Sequence, residues 1–255
     1  MAWTRRYNEA EPQRVNKWLA QSGVCSRREA EALISEGLVS IDDEVVQDVG
    51  RKIEPGQTLT LADKAQAALT NAMSILVHKP RGIVSSQPEP GQIPAVRLLT
   101  REALWGDKAP VPDRDGKLAP VGRLDMESRG LLLMSEDGVV AKAVIGPQSN
   151  LSKEYLVAVR GELTDEKLEL LHHGLELDGR QLKPAEVSVV SDMRIRIVLN
   201  EGRNRQIRRM CELVELTVLD LFRTRIGPLT LGDMPEGRWR HLTKDERALL
   251  IAETF

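Results

Sequence analysis

Three polar groups stand where side chains could do chemistry. Asp125 lies in GRLDMESRGLLLMSEDG, after the apolar approach APVG and before the apolar run GLLLM, so its carboxylate belongs to a loop held by core elements. Residue type alone makes such an Asp a turn residue or ion-pair partner more often than a nucleophile. Gly122 and Gly130 bracket the loop and permit tight backbone paths or close approach of a substrate. Tyr155, one of two tyrosines in the chain, falls in SKEYLVAV. Its plain reading is a core aromatic on a strand, although a ring face can also hold a base and a phenol can relay a proton. NEGRNRQIRRMCEL brings Arg203, Arg205, Arg208 and Arg209 close together. On a helix, positions 205 and 209 share a face while 208 points to a neighbouring one. An isolated helix of this kind is usually an exposed, salt-bridged surface.

These groups need elements to hold them. Val15, Trp18 and Leu19 fall at helical spacing and Gly23 can end that helix in the left-handed conformation. SRREAEALISEG adds a second short helix, with Ser26 and Glu29 as a capping box, an apolar stripe at Ala30, Leu33 and Ile34, and Gly37 as the stop. LVSIDDEVV alternates as a hairpin around Asp42 and Asp43, and KIEPGQTLTL supplies a further turn and strand. ADKAQAALTNA, residues 62–72, is rich in Ala and polar residues and is assigned as the linker. Beyond it SILVHKP, LLLMS, KEYLVAV, MRIRIVL and TVLDLF read as strands, and DGVVAKAVI, TDEKLELL, RQIRRMCELV and TKDERALL as helices, the last capped by Thr243 and Glu246. The Pro- and Gly-rich stretch from Lys79 to Val121 predicts long loops around a cleft, with one helix at VRLLTREAL. The interleaved order predicts an α+β fold: a small N-terminal helix-helix-hairpin domain (14–61), the linker, and a larger domain (73–255) whose mixed, mainly antiparallel sheet is flanked by helices.

Composition bounds the function. A net charge of -2 argues against indiscriminate polyanion binding, but the charge is uneven. Residues 1–30 carry six Lys or Arg against three acids, and residues 190–240 carry ten Arg and no Lys against seven acids. Arg presents a planar fork suited to phosphate and carboxylate. No apolar run approaches the roughly 20 residues that span a bilayer, and MAWTRRYNEAEPQR lacks a secretory core, so a cytoplasmic protein is expected. Cys25 and Cys211 stand far apart with no CxxC pair and read as buried hydrophobes. His78, His172, His173 and His241 lack a partner at ligand spacing, and GxxxxGK[ST] and GxGxxG are both missing, so neither metal nor nucleotide cofactor is expected. His172 and His173 are expected to finish a helix.

RVNKWLAQSGVCSRREAEALISEGLVSIDDEVVQDVGRKIEPGQTLTL resembles the small RNA-binding module of ribosomal protein S-four type. The resemblance implies that Arg14, Lys17, Arg27 and Arg28 lie along RNA phosphates, contacts that fix position without reading sequence. That family usually has an Asn-Gly type turn where Asp42-Asp43 stands here. GRLDMESRGLLLMSEDG, SKEYLVAV and NEGRNRQIRRMCEL are similar to the motifs of the RsuA-type ribosomal RNA pseudouridine synthases, with Ser128 in place of the usual Thr. FRTRIGPLTLGDMPEGRWRHLTKDE is similar to the closing region of that family, with P-x-G-x-W-R-x-L at Pro235, Gly237, Trp239, Arg240 and Leu242.

Membership implies isomerisation of a uridine in ribosomal RNA without cofactor. Asp125 would be the catalytic nucleophile, Tyr155 the ring that stacks on the flipped base and a general base, and Arg208 the partner that favours the ionised carboxylate. Arg123, Arg203, Arg205 and Arg209 would meet RNA. The RTRI stretch and the QIRRM helix lean towards large-subunit ribosomal RNA, and a monomer is expected. Two rivals remain on residues alone. A non-catalytic RNA-binding or ribosome-assembly protein on the same fold predicts loss of Asp125 or Arg208, which are both present. A carboxylate-dependent hydrolase wants a second acid, for which only Glu127 offers itself, as a residue facing solvent.

Overall fold

The computed structural model describes residues 3–113 and 115–252, and the outermost residues of the expected catalytic domain, 253–255, lie outside these. The chain forms two compact units: one is the chain up to Met73 together with Ser135–Lys142, the other is Ser74–Met134 with the chain from Ala143 onward.

In the first unit, strand β1 (Thr4–Arg6) precedes helices α1 (Val15–Gln21) and α2 (Arg27–Ser35). Gly23 and Gly37 close these helices at φ 72° and 69°, values that L-residues with a Cβ rarely adopt. The Ser26–Glu29 capping box is formed in both directions, and the second Glu29 oxygen accepts from the Gly138 amide at 3.0 Å. Strands β2 (Val39–Ile41), β3 (Glu44–Val45) and β4 (Thr58–Leu61) follow, in the sheet order β1-β4-β2-β3. Asp42 and Asp43 make the hairpin turn with φ 47° and 69°, both left-handed, as a two-residue hairpin loop requires. Asp42 holds this costly conformation by accepting from the Thr58 amide and the Gln57 side chain, so the acid at the tip is spent on the turn. Trp18, Leu19, Ile34, Ile41, Leu59 and Tyr7 form the core, with Tyr7 edge-on to Trp18 at 5.3 Å.

The segment assigned as linker is folded. Asp63–Thr70 is helix α3, counted with the first unit, because its Ala-rich sequence satisfies helical bonds and Ala65 packs into the core.

In the second unit, β5 (Ser74–Lys79), β6 (Arg129–Ser135), β7 (Lys153–Arg160), β8 (Glu186–Ser191), β9 (Arg194–Leu199), β10 (Thr217–Ile226) and β11 (Trp239–His241) form the main path of a nine-stranded sheet, in the order β8-β9-β7-β10-β6-β5-β11. β9, β7 and β10 run antiparallel to their neighbours on the β8 side, whereas β6 meets β10 in parallel, through Arg129 opposite Phe222 and Gly130 opposite Arg223. The sheet is therefore mixed and mainly antiparallel. Helices α5 (Asp165–His172), α6 (Gln206–Leu213) and α7 (Lys244–Ala252) belong to this unit, while most of α4 (Gly138–Ile145) is counted with the first. His172 and His173 do end α5, and Thr243 with Glu246 caps α7 reciprocally. Residues 130–135 are all buried, which explains an apolar run with no alternation.

VRLLTREAL departs from expectation. Only Ala95–Leu98 turns, as a single 3-10 helix. The chain leaves helical geometry at Leu99, with ψ 74°, and the Thr100 carbonyl takes the indole N–H of the wholly buried Trp239 at 2.8 Å. A buried indole needs that acceptor, and tertiary packing overrides the local helical pattern.

Candidate active site

The loop carrying Asp125 is pinned from several sides. Gly122 and Gly130 sit at its ends with φ 80° and 112°. A Cβ on Gly130 would lie 2.3 Å from the Arg223 carbonyl oxygen, so the close parallel approach of β10 requires glycine there. The hydroxyl of buried Ser85 donates to the Leu124 carbonyl and accepts from the Leu124 amide, at 2.7 and 2.9 Å. The Gly82 amide donates to the Met126 carbonyl, and the Ser128 amide to that of Asp125. Between anchors at Leu124 and Ser128, the Asp125 carboxylate has little freedom to wander.

Two guanidinium groups converge on that carboxylate. Arg205 Nη1 lies 3.4 Å and Arg208 Nε 3.8 Å from the same oxygen, Oδ2. Both arginines also reach Glu127, at 3.3 and 3.9 Å. Arg208 Nη2 donates to the Ser128 hydroxyl at 3.2 Å and to the Glu127 carbonyl at 3.4 Å, while its Nε is buried without a hydrogen-bond partner among the described residues. Arg205 is the exposed partner, its side chain 43% accessible against 14% for Arg208. It stands at the N-cap of α6 in the left-handed region, φ 49°, a conformation of elevated energy that turns its side chain to Asp125. Glu127, expected to face solvent, is exposed and also holds both arginines.

The remaining arginines divide. Arg209 is bound through both terminal nitrogens to Asp178, at 3.0 and 2.6 Å, and this contact holds the Asp178 carboxyl below the usual range. Arg203 donates to the carbonyls of Leu177, Arg180 and Gln181, so these two residues brace the ribbon Glu176–Leu177/Arg180–Gln181. Arg123 is exposed, and in the first unit Arg14, Lys17, Arg27 and Arg28 are exposed as well. Tyr155 is partly buried on β7 and packs against the apolar clusters around Val157 and around Leu132. Its opposite on β10 is Arg223, whose parallel opposite is Gly130. One residue of β10 thus lies between the strand of Tyr155 and the strand that leaves the Asp125 loop.

Residue types in isolation did not single out Lys79, Ser85 or Arg223. Lys79 is wholly buried and donates to the Pro80 and Ile83 carbonyls at 2.8 and 2.7 Å. Burial pulls its ammonium down to about 8, with Arg223 adding to the drop and Asp125 and Glu236 opposing it. Burial, aided by Arg223, brings Lys153 to about 8 as well. The one signal for all three was a polar residue inside an otherwise apolar strand or beside a Pro-Gly turn.

These shifts fix a stability profile. Below pH 8 both folded and unfolded chains carry the two ammonium charges, and their burial cost is fully present. Above it the folded unit sheds protons that the unfolded chain keeps until about 10.5, so stability rises with pH. Buried Cys211, its thiol pushed up to about 12, acts in the opposite sense once the unfolded thiol ionises near 9. The second unit should gain about 1 kcal/mol from Lys79 between pH 8 and 9, and less from the partly buried Lys153, with a shallower slope above 9. Urea unfolding in a Trp3→Phe/Trp18→Phe background, followed by fluorescence of Trp105 and Trp239, reads this directly. A flat or falling curve from pH 8 to 9, or a rise that survives Lys79→Met undiminished, would contradict it.

Comparison with known proteins gives the family. Residues 73–213 match the family model described as RNA pseudouridylate synthase, and residues 13–59 match the S4 domain. The chain belongs to the RNA pseudouridine synthases, in the RsuA-type branch that carries an N-terminal S4 domain, and is an isomerase acting on RNA. It is 34% identical over 245 residues to an uncharacterized RNA pseudouridine synthase of Mycobacterium leprae, covering 94% of this chain and 93% of that one. It is also 34% identical to the dual-specificity RNA pseudouridine synthase RluF of Salmonella typhi, over 91% of this chain and 76% of the relative. Among solved structures it is similar to a pseudouridylate synthase crystal structure, with a TM-score of 0.64, 25% identity and coverage of 93% and 99% of the two chains.

Proposed function

We propose that this enzyme converts a specific uridine of ribosomal RNA to pseudouridine, with Asp125 as attacking carboxylate and no cofactor. The observation that carries the reading is the convergence of Arg205 and Arg208 on one oxygen of an Asp held in a pinned loop. In the reaction the C1′–N1 bond breaks, the uracil turns, and a C5–C1′ bond forms. The proton leaving C5 is balanced by the one N1 gains, so neither redox equivalent nor added group is needed. Covalent attack by Asp125 divides this rearrangement into easier steps. A stacked base is out of reach, so the uridine is flipped at a cost of a few kcal/mol into the site, where Tyr155 stacks on it and relays the C5 proton. The protein acts as a cytoplasmic monomer, with large-subunit ribosomal RNA as substrate.

Arg123 and Arg205 meet the phosphates next to the flipped nucleotide, and Arg14, Lys17, Arg27 and Arg28 hold RNA farther away. Arg203 and Arg209 act on RNA through the ribbon they brace or by exchanging carbonyl and Asp178 partners for phosphate. Replacing Arg27 and Arg28 together by Ala should weaken RNA binding by about tenfold at moderate salt and lower the slope of log K against log salt by about two, with turnover of saturated enzyme unchanged. An unchanged salt slope would remove these residues from the interface. Mapping pseudouridines in ribosomal RNA from cells with and without the protein tests the substrate; no missing site in either subunit would overturn it.

A further inference from the structure

Arg223 is 5% exposed, in the middle of β10, where its backbone passes so close to Gly130 that no Cβ fits between them. Its side chain reaches both ends of the Asp125 loop. Nε donates to the Leu131 carbonyl at 2.7 Å, and Nη1 makes a longer contact of 3.5 Å to the Arg123 carbonyl. Nη2 is buried with no hydrogen-bond partner among the described residues. Both bonds end on neutral oxygens, so the guanidinium keeps its whole charge inside the protein, a costly placement if the only task were to tie two carbonyls. The charge is felt by its neighbours: it disfavours the ammonium forms of Lys79 and Lys153, and Lys79 in turn is stabilised by Asp125.

We infer that Arg223 is a positioning residue for the reaction: one guanidinium clamps both ends of the Asp125 loop, and its unpaired charge favours the negative charge that the uracil gains. That charge arises whichever atom Asp125 attacks. If the sugar carbon is attacked, the C1′–N1 electron pair leaves with the base, and if the base is attacked, the electrons move onto its carbonyl oxygen. A cation already fixed by the protein stabilises such charge without reorganising. Arg223 also stands opposite Tyr155, so loop and ring are referred to the same residue of β10.

The inference rests on Asp125 as the attacking group. Arg223→Met keeps length and loses charge, and Arg223→Lys keeps charge and loses the two-ended grip. With full-length protein and saturating ribosomal RNA, single-turnover pseudouridine formation should fall about 100-fold in Arg223→Met and about tenfold in Arg223→Lys, while RNA Kd stays within about threefold. A purely structural role would instead move Kd, melting and rate together. The inference is overturned if Arg223→Met reacts within threefold of the native enzyme, or if Arg223→Lys is no faster than Arg223→Met. Should Arg223→Met fail to fold, Arg223→Lys alone decides: a rate within threefold of native overturns the proposal, and a tenfold loss at unchanged Kd supports it. If native enzyme forms no pseudouridine, the reading of Asp125 fails first and takes this one with it.

Discussion

Asp125→Asn should leave RNA affinity within about threefold of native and reduce pseudouridine formation by at least about 10⁴-fold, to the floor of a tritium-release assay. The substitution preserves the size of the side chain and the loop anchors at Leu124 and Ser128, which use backbone groups and the Ser85 hydroxyl. What it removes is the anionic oxygen faced by Arg205 and Arg208. An amide is too poor a nucleophile to replace it. Some loss of the loose contact to Arg205 is expected, but that arginine is exposed and keeps Glu127, so the fold should tolerate the change. Tritium released from C5 at anything near the native rate would exclude Asp125 as the attacking group. Loss of both binding and product would show instead that the loop had collapsed.

The second large effect belongs to Arg208. Its side chain is 14% exposed, it bonds the Ser128 hydroxyl, and its buried Nε has no hydrogen-bond partner among the described residues while Asp125 Oδ2 stands 3.8 Å away. Arg205 is nearer to Asp125 in this state, yet it is largely accessible to water, where a pair at 3.4 Å is worth at most about 1 kcal/mol. The buried donor should therefore matter more than the closer one. Arg208→Met is expected to lower turnover by about 10²–10³-fold with little change in RNA Kd. Arg205→Met should cost no more than about tenfold in turnover and show chiefly as weaker binding. Arg208→Lys should recover little, since a point charge cannot span Ser128 and Asp125 together. A larger loss in Arg205→Met than in Arg208→Met would assign the carboxylate to Arg205 instead.

Much of this architecture was legible from local signals. Ser26 with Glu29, Thr243 with Glu246, and Gly23 and Gly37 act within one turn of the chain, so their pattern suffices to place helix ends. VRLLTREAL failed because its outcome depends on a carbonyl for Trp239, more than a hundred residues away. The form of the 62–72 segment depends on packing too: Ala-rich composition permits either a helix or a tether, and packing of Ala65 chose the helix.

For the site, the GRLD, KEY and RNRQIRR segments name Asp125, Tyr155 and the four arginines without any coordinates, because each motif is contiguous. Which arginine serves which partner is not a contiguous property. Arg209 bonds Asp178, Arg203 bonds the 177–181 carbonyls, and Arg205 turns to Asp125 through a left-handed residue at a helix start, all contacts set by how separate segments meet. Arg223 is the clearest case. In sequence it is one more arginine in FRTRI, and only the parallel meeting of β6 and β10 lays it across Gly130, between Tyr155 and the loop of Asp125. The sequence by itself determined the candidate groups and the local turns that display them; the tertiary structure decided their partners, because burial and charge pairing depend on neighbours that the chain brings together only when it folds.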